Sequence, residues 1–190
     1  MAKKSPVVCV FCGSSFGADP RHAEAAKRLG VLIAERGYSL VFGGGGPGLM
    51  GVVARAVRDG GAHVLGVLPD FLRAVEKPPE WEQELIITPD LQLRKTRMLA
   101  LADAFVVLPG GPGTMDEFFE VVTSAQLRVL AKPIVLVNVA GFFEPLKALM
   151  QHLVTQGFAR PQMLELYATV DTPEAAIETV TKKLGLGALQ

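Results

Sequence analysis

Short apolar runs alternate with longer amphipathic segments along this chain. "VVCVFC" (7–12), "YSLVFGG" (38–44), "HVLGVLP" (63–69), "AFVVLP" (104–109) and "KPIVLVNV" (132–139) are compact and rich in β-branched and aromatic residues. Such runs predict buried strands. Between them, apolar positions recur at helical spacing. That predicts helices over 20–37, 48–61, 90–103, 113–130 and near 143–156. Asp19 is the expected N-cap of the first helix, with Pro20 at its first position and Gly37 at its end. Asp90 is the expected cap of the third. The tail "LYATVDTPEAAIETVTKKL" predicts a short strand and a final helix starting at Asp171 or Thr172. "ELIIT" (84–88) is either a strand or an extended link, and "DFLRAVEKPPEWEQ" before it is a polar, Pro-rich surface loop with a short helix at its start. Strands alternating with helices imply βαβ units and a parallel sheet covered on both faces. The expected fold is therefore α/β, Rossmann-like and doubly wound. With no internal repeat, low-complexity stretch or linker, residues 1–190 form one expected domain.

Composition narrows the function. The 190 residues carry 19 basic and 19 acidic side chains, a formal net charge of zero. Bulk charge thus gives no pull toward nucleic acid or an anionic membrane. No apolar run has transmembrane length, and "MAKKSPVVCVFC" lacks the long apolar core of a signal peptide. The expected location is cytoplasmic. Cys9 and Cys12 spell C-x-x-C, but they sit in a strand, where residues three apart face opposite sides. No second Cys/His pair lies nearby, so both are expected to be core residues and no metal site is expected.

In a doubly wound sheet, ligands bind at the carboxyl ends of the strands. Three strands there lead into glycine-rich turns: "CGSSFG" (12–17), "GGGGPG" (43–48) and "PGGPGT" (109–114). Each precedes a helix, whose first N–H groups are unpaired and carry partial positive charge. Glycine lets a ligand come close to that backbone. Together these features suit an anion such as phosphate. The dinucleotide pattern fits poorly. Gly43, Gly45 and Gly48 follow the second strand, and no acid closes the next strand to hold a ribose. No turn has the Gly-Lys-Ser/Thr of a Walker A loop.

Two acids, Asp116 and Glu117, follow the third turn in the first turn of its helix. The helix dipole favours acids there whatever their role. A carboxylate beside a phosphate site would also suit the sugar next to that phosphate. It could bind ribose hydroxyls and stabilise an oxocarbenium-like cation as a glycosidic bond breaks. "LRKTR" supplies Arg94, Lys95 and Arg97 on the preceding helix. Arg94 or Lys95, near its start, could reach the crevice, whereas Arg97 reads as a solvated charge.

"PGGPGTMDE" fits P-G-G-x-G-T-x-x-E, and the chain here resembles the Lonely Guy family, cytokinin riboside 5′-monophosphate phosphoribohydrolases. "VCVFCGSS", "LVFGGGGPGLMG", "GVLPDFL", "ADAFVVLPGGPGT", "EVVTSAQL", "KPIVLVNVAGFFEPL" and "GFARP" resemble family segments in family order. The resemblance implies a Rossmann-like homodimer, or a larger assembly of dimers, that hydrolyses the N-glycosidic bond of a nucleoside 5′-monophosphate, AMP or a prenylated AMP, to free base and ribose 5-phosphate. It implies Arg94 and Glu117 as catalytic residues and Lys95 as a substrate contact. Gly111, Gly113 and Thr114 would hold the phosphate, Glu76 would be an acidic contact, and Thr123 matches the family's threonine. Ser14, Gly44, Gly45 and Gly110, from the three turns, complete the expected binding residues. No metal or organic cofactor is implied. Gln92 and Leu93 stand where the family usually has other polar residues, Ser124 where plant members usually have Trp, and Pro112 at a variable position. A non-catalytic nucleotide sensor on the same fold is the alternative. Amino-acid decarboxylation, the older label of many relatives, would need pyridoxal phosphate on a lysine, and no lysine sits in such a turn.

Overall fold

A computed structural model describes residues 5–76 and 84–186. Seven parallel strands form one sheet. They are β1 (Val7–Phe11), β2 (Ser39–Phe42), β3 (Val64–Pro69), β4 (Glu84–Thr88), β5 (Ala104–Val107), β6 (Ile134–Val137) and β7 (Ala168–Val170). The helices are α1 (Arg21–Glu35), α2 (Gly48–Asp59), α3 (Arg73–Glu76), α4 (Leu91–Leu101), α5 (Pro112–Gln126), α6 (Glu144–Thr155) and α7 (Pro173–Lys183). The sheet order is β4-β3-β2-β1-β5-β6-β7. The chain winds one way from β1 to β4 and the other from β5 to β7, so the switch point lies between β1 and β5. This is the Rossmann-like architecture expected from the alternation of runs.

Each strand sends alternate side chains to opposite faces. From β1, Val8 and Val10 pack with Leu29 and Ile33 of α1, Val53 of α2 and Ile177 of α7. Cys9 and Phe11 face the other way, toward Met98 of α4, Phe118 and Val121 of α5, and Met150 of α6. Cys12 joins the first cluster, so the two thiols lie on opposite faces, free and buried. Phe105, wholly buried on β5, stacks on Phe11 with ring centroids 5.8 Å apart. Phe105→Ala is expected to cost about 3–5 kcal/mol through lost transfer energy and the cavity left behind. Urea unfolding would measure it as a lower midpoint at unchanged slope.

Element ends differ from the sequence reading in informative places. Regular α1 begins at Arg21, but Pro20 already has helical angles and the Asp19 carboxylate accepts the Arg21 N–H at 2.9 Å, as expected of a cap and a first helical residue. Gly37 closes that helix region at φ +64°. Asp90 caps α4 by accepting the Leu93 N–H at 2.7 Å, and Thr172, rather than Asp171, caps α7. "ELIIT" is a true edge strand, paired with β3 from Leu65↔Glu84 to Pro69↔Thr88. The short helix after β3 is a 3₁₀ turn, Asp70–Leu72, followed by α3. The rest of the expected surface loop, 77–83, lies outside the described residues, as do residues 1–4 of "MAKKSP" and residues 187–190. α5 stops at Gln126 rather than running to 130, because Arg128 takes φ +60°. Among the described residues no helix is long and apolar enough to cross a membrane.

Candidate active site

The three glycine-rich turns meet at the switch point. The Gly13 N–H donates to the Pro109 carbonyl at 3.0 Å, and the Gly13 carbonyl accepts from Leu49 N–H at 3.0 Å. One residue after β1 thus ties the turn after β5 to the start of α2. Two glycines make this approach possible. Gly48 has φ +63°, and a Cβ there would collide with the backbone of Ser14 and Ser15. A Cβ on Gly110 would run into the Thr114 side chain and lie 2.8 Å from the Gly13 nitrogen.

A cavity of about 170 Å³ opens over this junction. Ser14 and Gly13 form one wall, and Gly111, Gly113 and Thr114 at the start of α5 form another. Glu117, Arg94 and Glu76 close the far side with Met50, and Cys12 and Pro112 also line it. No side chain caps α5; its N-cap residue is Gly111. The helix therefore presents backbone N–H groups and the positive end of its dipole to this cavity.

The ionisable groups are held together and largely out of water. Arg94 Nη2 lies 3.5 Å from Glu117 Oε1, and the two side chains are 13% and 11% exposed. Burial raises the Glu117 carboxyl to about 7; Arg94 opposes that rise, Asp116 adds to it, Lys95 opposes it and Glu76 adds to it. Arg94 Nε and Glu76 Oε2 are buried with no hydrogen-bond partner among the described residues. Orphaned buried polar atoms lining one cavity are costly unless a ligand supplies their partners. A shifted carboxyl in the same crevice is the usual mark of a functional site. Burial, then the Glu117 charge, pushes the Cys12 thiol far above its ordinary range, so it is no ready thiolate.

The residues expected from sequence divide into groups. Ser14, Glu76, Arg94, Gly111, Gly113, Thr114 and Glu117 converge on the cavity. Gly45 sits behind it, where a Cβ would press on Glu76 Oε2 and the Met50 methyl. Gly110 lines a neighbouring hollow of about 180 Å³, which also holds Phe16, His22 and Phe142. Gly44, at φ +72°, packs against Leu68 and Leu85 rather than the cavity. Thr123 is exposed on the second half of α5. Lys95 turns away from the cavity to Asp116 (3.0 Å) and Glu120 (2.5 Å). Burial pulls its ammonium down, but these two carboxylates outweigh that and raise it. Arg97 is exposed, as its reading as a solvated charge requires. Cys12, Gly13, Met50 and Pro112 were not expected as lining. Met50 could have been found from "GLMG", since it falls in the first turn of the helix that follows a ligand-facing glycine turn.

A larger groove of about 660 Å³ lies between the end of α5 and the segment after α6, lined by Leu127, Phe158, Arg160 and Met163 among others. It holds none of the motif residues and no carboxylate, so the smaller cavity is the better candidate for chemistry.

Comparison with known proteins shows the family. Residues 50–180 match the family described as "possible lysine decarboxylase". The chain is 43% identical over 171 residues to the probable cytokinin riboside 5′-monophosphate phosphoribohydrolase LOGL2 of Oryza sativa subsp. japonica, covering 90% of this chain and 70% of that one. It is 42% identical over 187 residues to the cytokinin riboside 5′-monophosphate phosphoribohydrolase LOG7 of Arabidopsis thaliana, covering 93% and 86%. The chain belongs to the Lonely Guy family. The P-G-G-x-G-T-x-x-E stretch contributes Gly111, Gly113, Thr114 and Glu117 to the lining of the cavity. Solved structures show the same fold at lower identity. The molybdenum cofactor binding protein of Rippkaea orientalis superposes with a TM-score of 0.73 at 21% identity, over 96% of this chain and 99% of that one. The molybdenum cofactor carrier protein of Chlamydomonas reinhardtii gives 0.72 at 20%, with the same coverage.

Proposed function

We propose that the protein is a phosphoribohydrolase, which hydrolyses the N-glycosidic bond of a nucleoside 5′-monophosphate, AMP or its prenylated cytokinin form. The observation that carries this reading is the buried Arg94–Glu117 pair behind the uncapped start of α5. Asp116 and Glu117 lie in the second turn of that helix rather than the expected first. The phosphate takes the N–H groups at Gly111, Gly113 and Thr114, and that anchor fixes the ribose. Glu117 then faces C1′ and the ribose hydroxyls. As the C1′–N bond breaks, its carboxylate stabilises the developing positive charge and orients a water, whose oxygen joins C1′ while the departing base takes up a proton. Arg94 keeps the buried carboxylate ionised near neutral pH, and its free Nε and the Glu76 Oε2 meet polar groups of the substrate.

The whole chain, 1–190, acts as one domain, and we infer a cytoplasmic homodimer. Exposed Leu127, Val129 and Phe158 supply apolar surface that suits a subunit contact. Decarboxylation fits less well, since Lys95, beside the catalytic arginine, is held by Asp116 and Glu120 rather than facing the cavity.

The test is incubation with AMP, isopentenyladenosine monophosphate and other nucleoside monophosphates, followed by chromatography for free base. Base release from at least one is expected. Its rate should climb with pH through an acid limb near the Glu117 value of about 7. Tight binding with no released base would replace the hydrolase by the nucleotide-sensor reading.

A further inference from the structure

Helix α4 carries Arg94 to the cavity, and its apolar packing, Met98 with the partly buried Leu99 and Leu101, lies in its second half, beyond Arg94. Met98 is its one fully buried side chain. Around Arg94, a set of polar contacts ties α4 to α5. Gln92 and Lys95, three apart and so on one helical face, both reach Glu120. Gln92 Nε2 is 3.4 Å from Glu120 Oε1, and Lys95 Nζ is 2.5 Å from Glu120 Oε2. Lys95 also meets Asp116 at 3.0 Å. The Lys95 side chain is 13% exposed and that of Glu120 22%, while Asp116 is 62% exposed. Of the two ion pairs of Lys95, the one with Glu120 is therefore the shielded one and the one with Asp116 the solvated one, and shielded ion pairs are the ones that hold geometry. The next rung inward is Arg94–Glu117, on residues adjacent in sequence to Lys95 and Asp116.

We propose that Glu120 is a positioning residue for the glycosidic reaction: it grips α4 through Lys95 and Gln92 and so holds Arg94 against Glu117. Lys95 is then the handle of this clamp rather than a contact to the substrate. The inference rests on the hydrolase reading for its kinetic consequence, but not for its geometry.

Its test uses the full chain with Glu120→Gln, Glu120→Asp, Asp116→Asn, Lys95→Met and the Glu120→Gln/Lys95→Met double variant. The first readout is kcat and KM for base release. The second is the titration midpoint of Glu117, followed by NMR on carboxyl-labelled protein, which needs no activity. The charges facing Glu117 are Arg94 and Lys95 of α4, Asp116 of α5 and Glu76 of α3, and the titratable groups beside it include the buried, neutral thiols Cys9 and Cys12 at β1. Arg94 is the strongest influence lowering it.

A loosened clamp lets Arg94 withdraw, so Glu120→Gln should raise the midpoint. Simple removal of a negative charge would lower it, as Asp116→Asn should. The two explanations thus predict opposite signs. The kcat of Glu120→Gln should fall on the order of tenfold to a hundredfold with KM little changed, the scale of a small misplacement at a reacting centre. Glu120→Asp, which keeps the charge, should recover part of that loss, and the double variant should be no worse than Lys95→Met alone. An unmoved or lowered midpoint in Glu120→Gln overturns the proposal. So does a Lys95→Met variant whose defect is a raised KM at normal kcat, which would make Lys95 a substrate contact. If Glu120→Gln does not fold, the kcat-against-KM split of Lys95→Met carries the test, because loss of the Lys95 charge alone would already raise the Glu117 midpoint. A wild-type protein that releases no base from any nucleotide overturns the hydrolase reading alone, and the titration still decides the clamp.

Discussion

Glu117→Gln should lower base release on the order of a hundredfold to a thousandfold or more, with the fold intact. The amide keeps the size of the side chain and its ability to accept a hydrogen bond, but not the charge that faces the developing cation. Circular dichroism and the oligomeric state should match wild type, while kcat falls and KM moves little. A near-normal rate would remove Glu117 from the mechanism. The same variant has a stability signature. The carboxyl stands at 4.5 in an unfolded chain and at about 7 in the fold, raised chiefly by burial. A raised acid is stabilising when protonated. That contribution is fully present below about pH 4.5, declines as pH climbs to about 7, and is gone above. It amounts to about 3 kcal/mol across that window. Glutamine does not titrate, so the stability of the variant relative to wild type should increase between pH 4.5 and pH 8. This difference cancels any pH-independent cost of the substitution. Thermal melts at several pH values would measure it, and parallel curves for the two proteins would contradict a buried, shifted Glu117.

That a single side chain can be named for both effects reflects how local its sequence signal is. The glycines of 109–114 end a buried run and open a helix, so their place at the strand ends follows from spacing. Glu117 rather than its neighbour Asp116 is the inward acid because α5 must bury Phe118 and Val121, and that rotates residue 117 under the helix while 116 faces out. The strands were legible for a similar reason: a sheet covered on both faces needs runs such as "AFVV" that are apolar throughout. β4 was ambiguous because an edge strand is half-exposed, and Glu84 and Ile87 meet solvent. The end of α5 was missed because Arg128 takes the left-handed conformation usually left to glycine, with no glycine to announce it. The direction of Lys95 could not be read at all. Residues 94 and 95 are adjacent, and about 100° of helical rotation separates cavity from clamp. Only the seating of α4 on the sheet and α5 decides which basic residue enters.

Arg94→Met should cost both rate and stability, each in a pH-dependent way that separates it from Glu117→Gln. Without the guanidinium, the strongest influence lowering the Glu117 carboxyl is lost, so its midpoint moves above about 7. At pH 7 less of the enzyme then holds the carboxylate. The acid limb of the rate profile should shift upward and turnover should recover in part at higher pH. What does not recover is the share owed to Arg94 touching substrate. At pH 8 the folded protein must either keep an unpaired buried charge or take up a proton against the solvent pH, and breaking a buried pair in this way usually costs about 3–5 kcal/mol. Near pH 5 the carboxyl is protonated and the cost should be much smaller. Adding Glu117→Gln to Arg94→Met should therefore restore stability at pH 8 while leaving the protein inactive, a non-additivity that only a contacting pair produces. Arg94→Lys should recover the charge but not the fork of donors, because an ammonium is a single point on a shorter reach. A rate loss that is uniform with pH, with Glu117 unmoved, would show that Arg94 acts on the substrate alone and not through its partner.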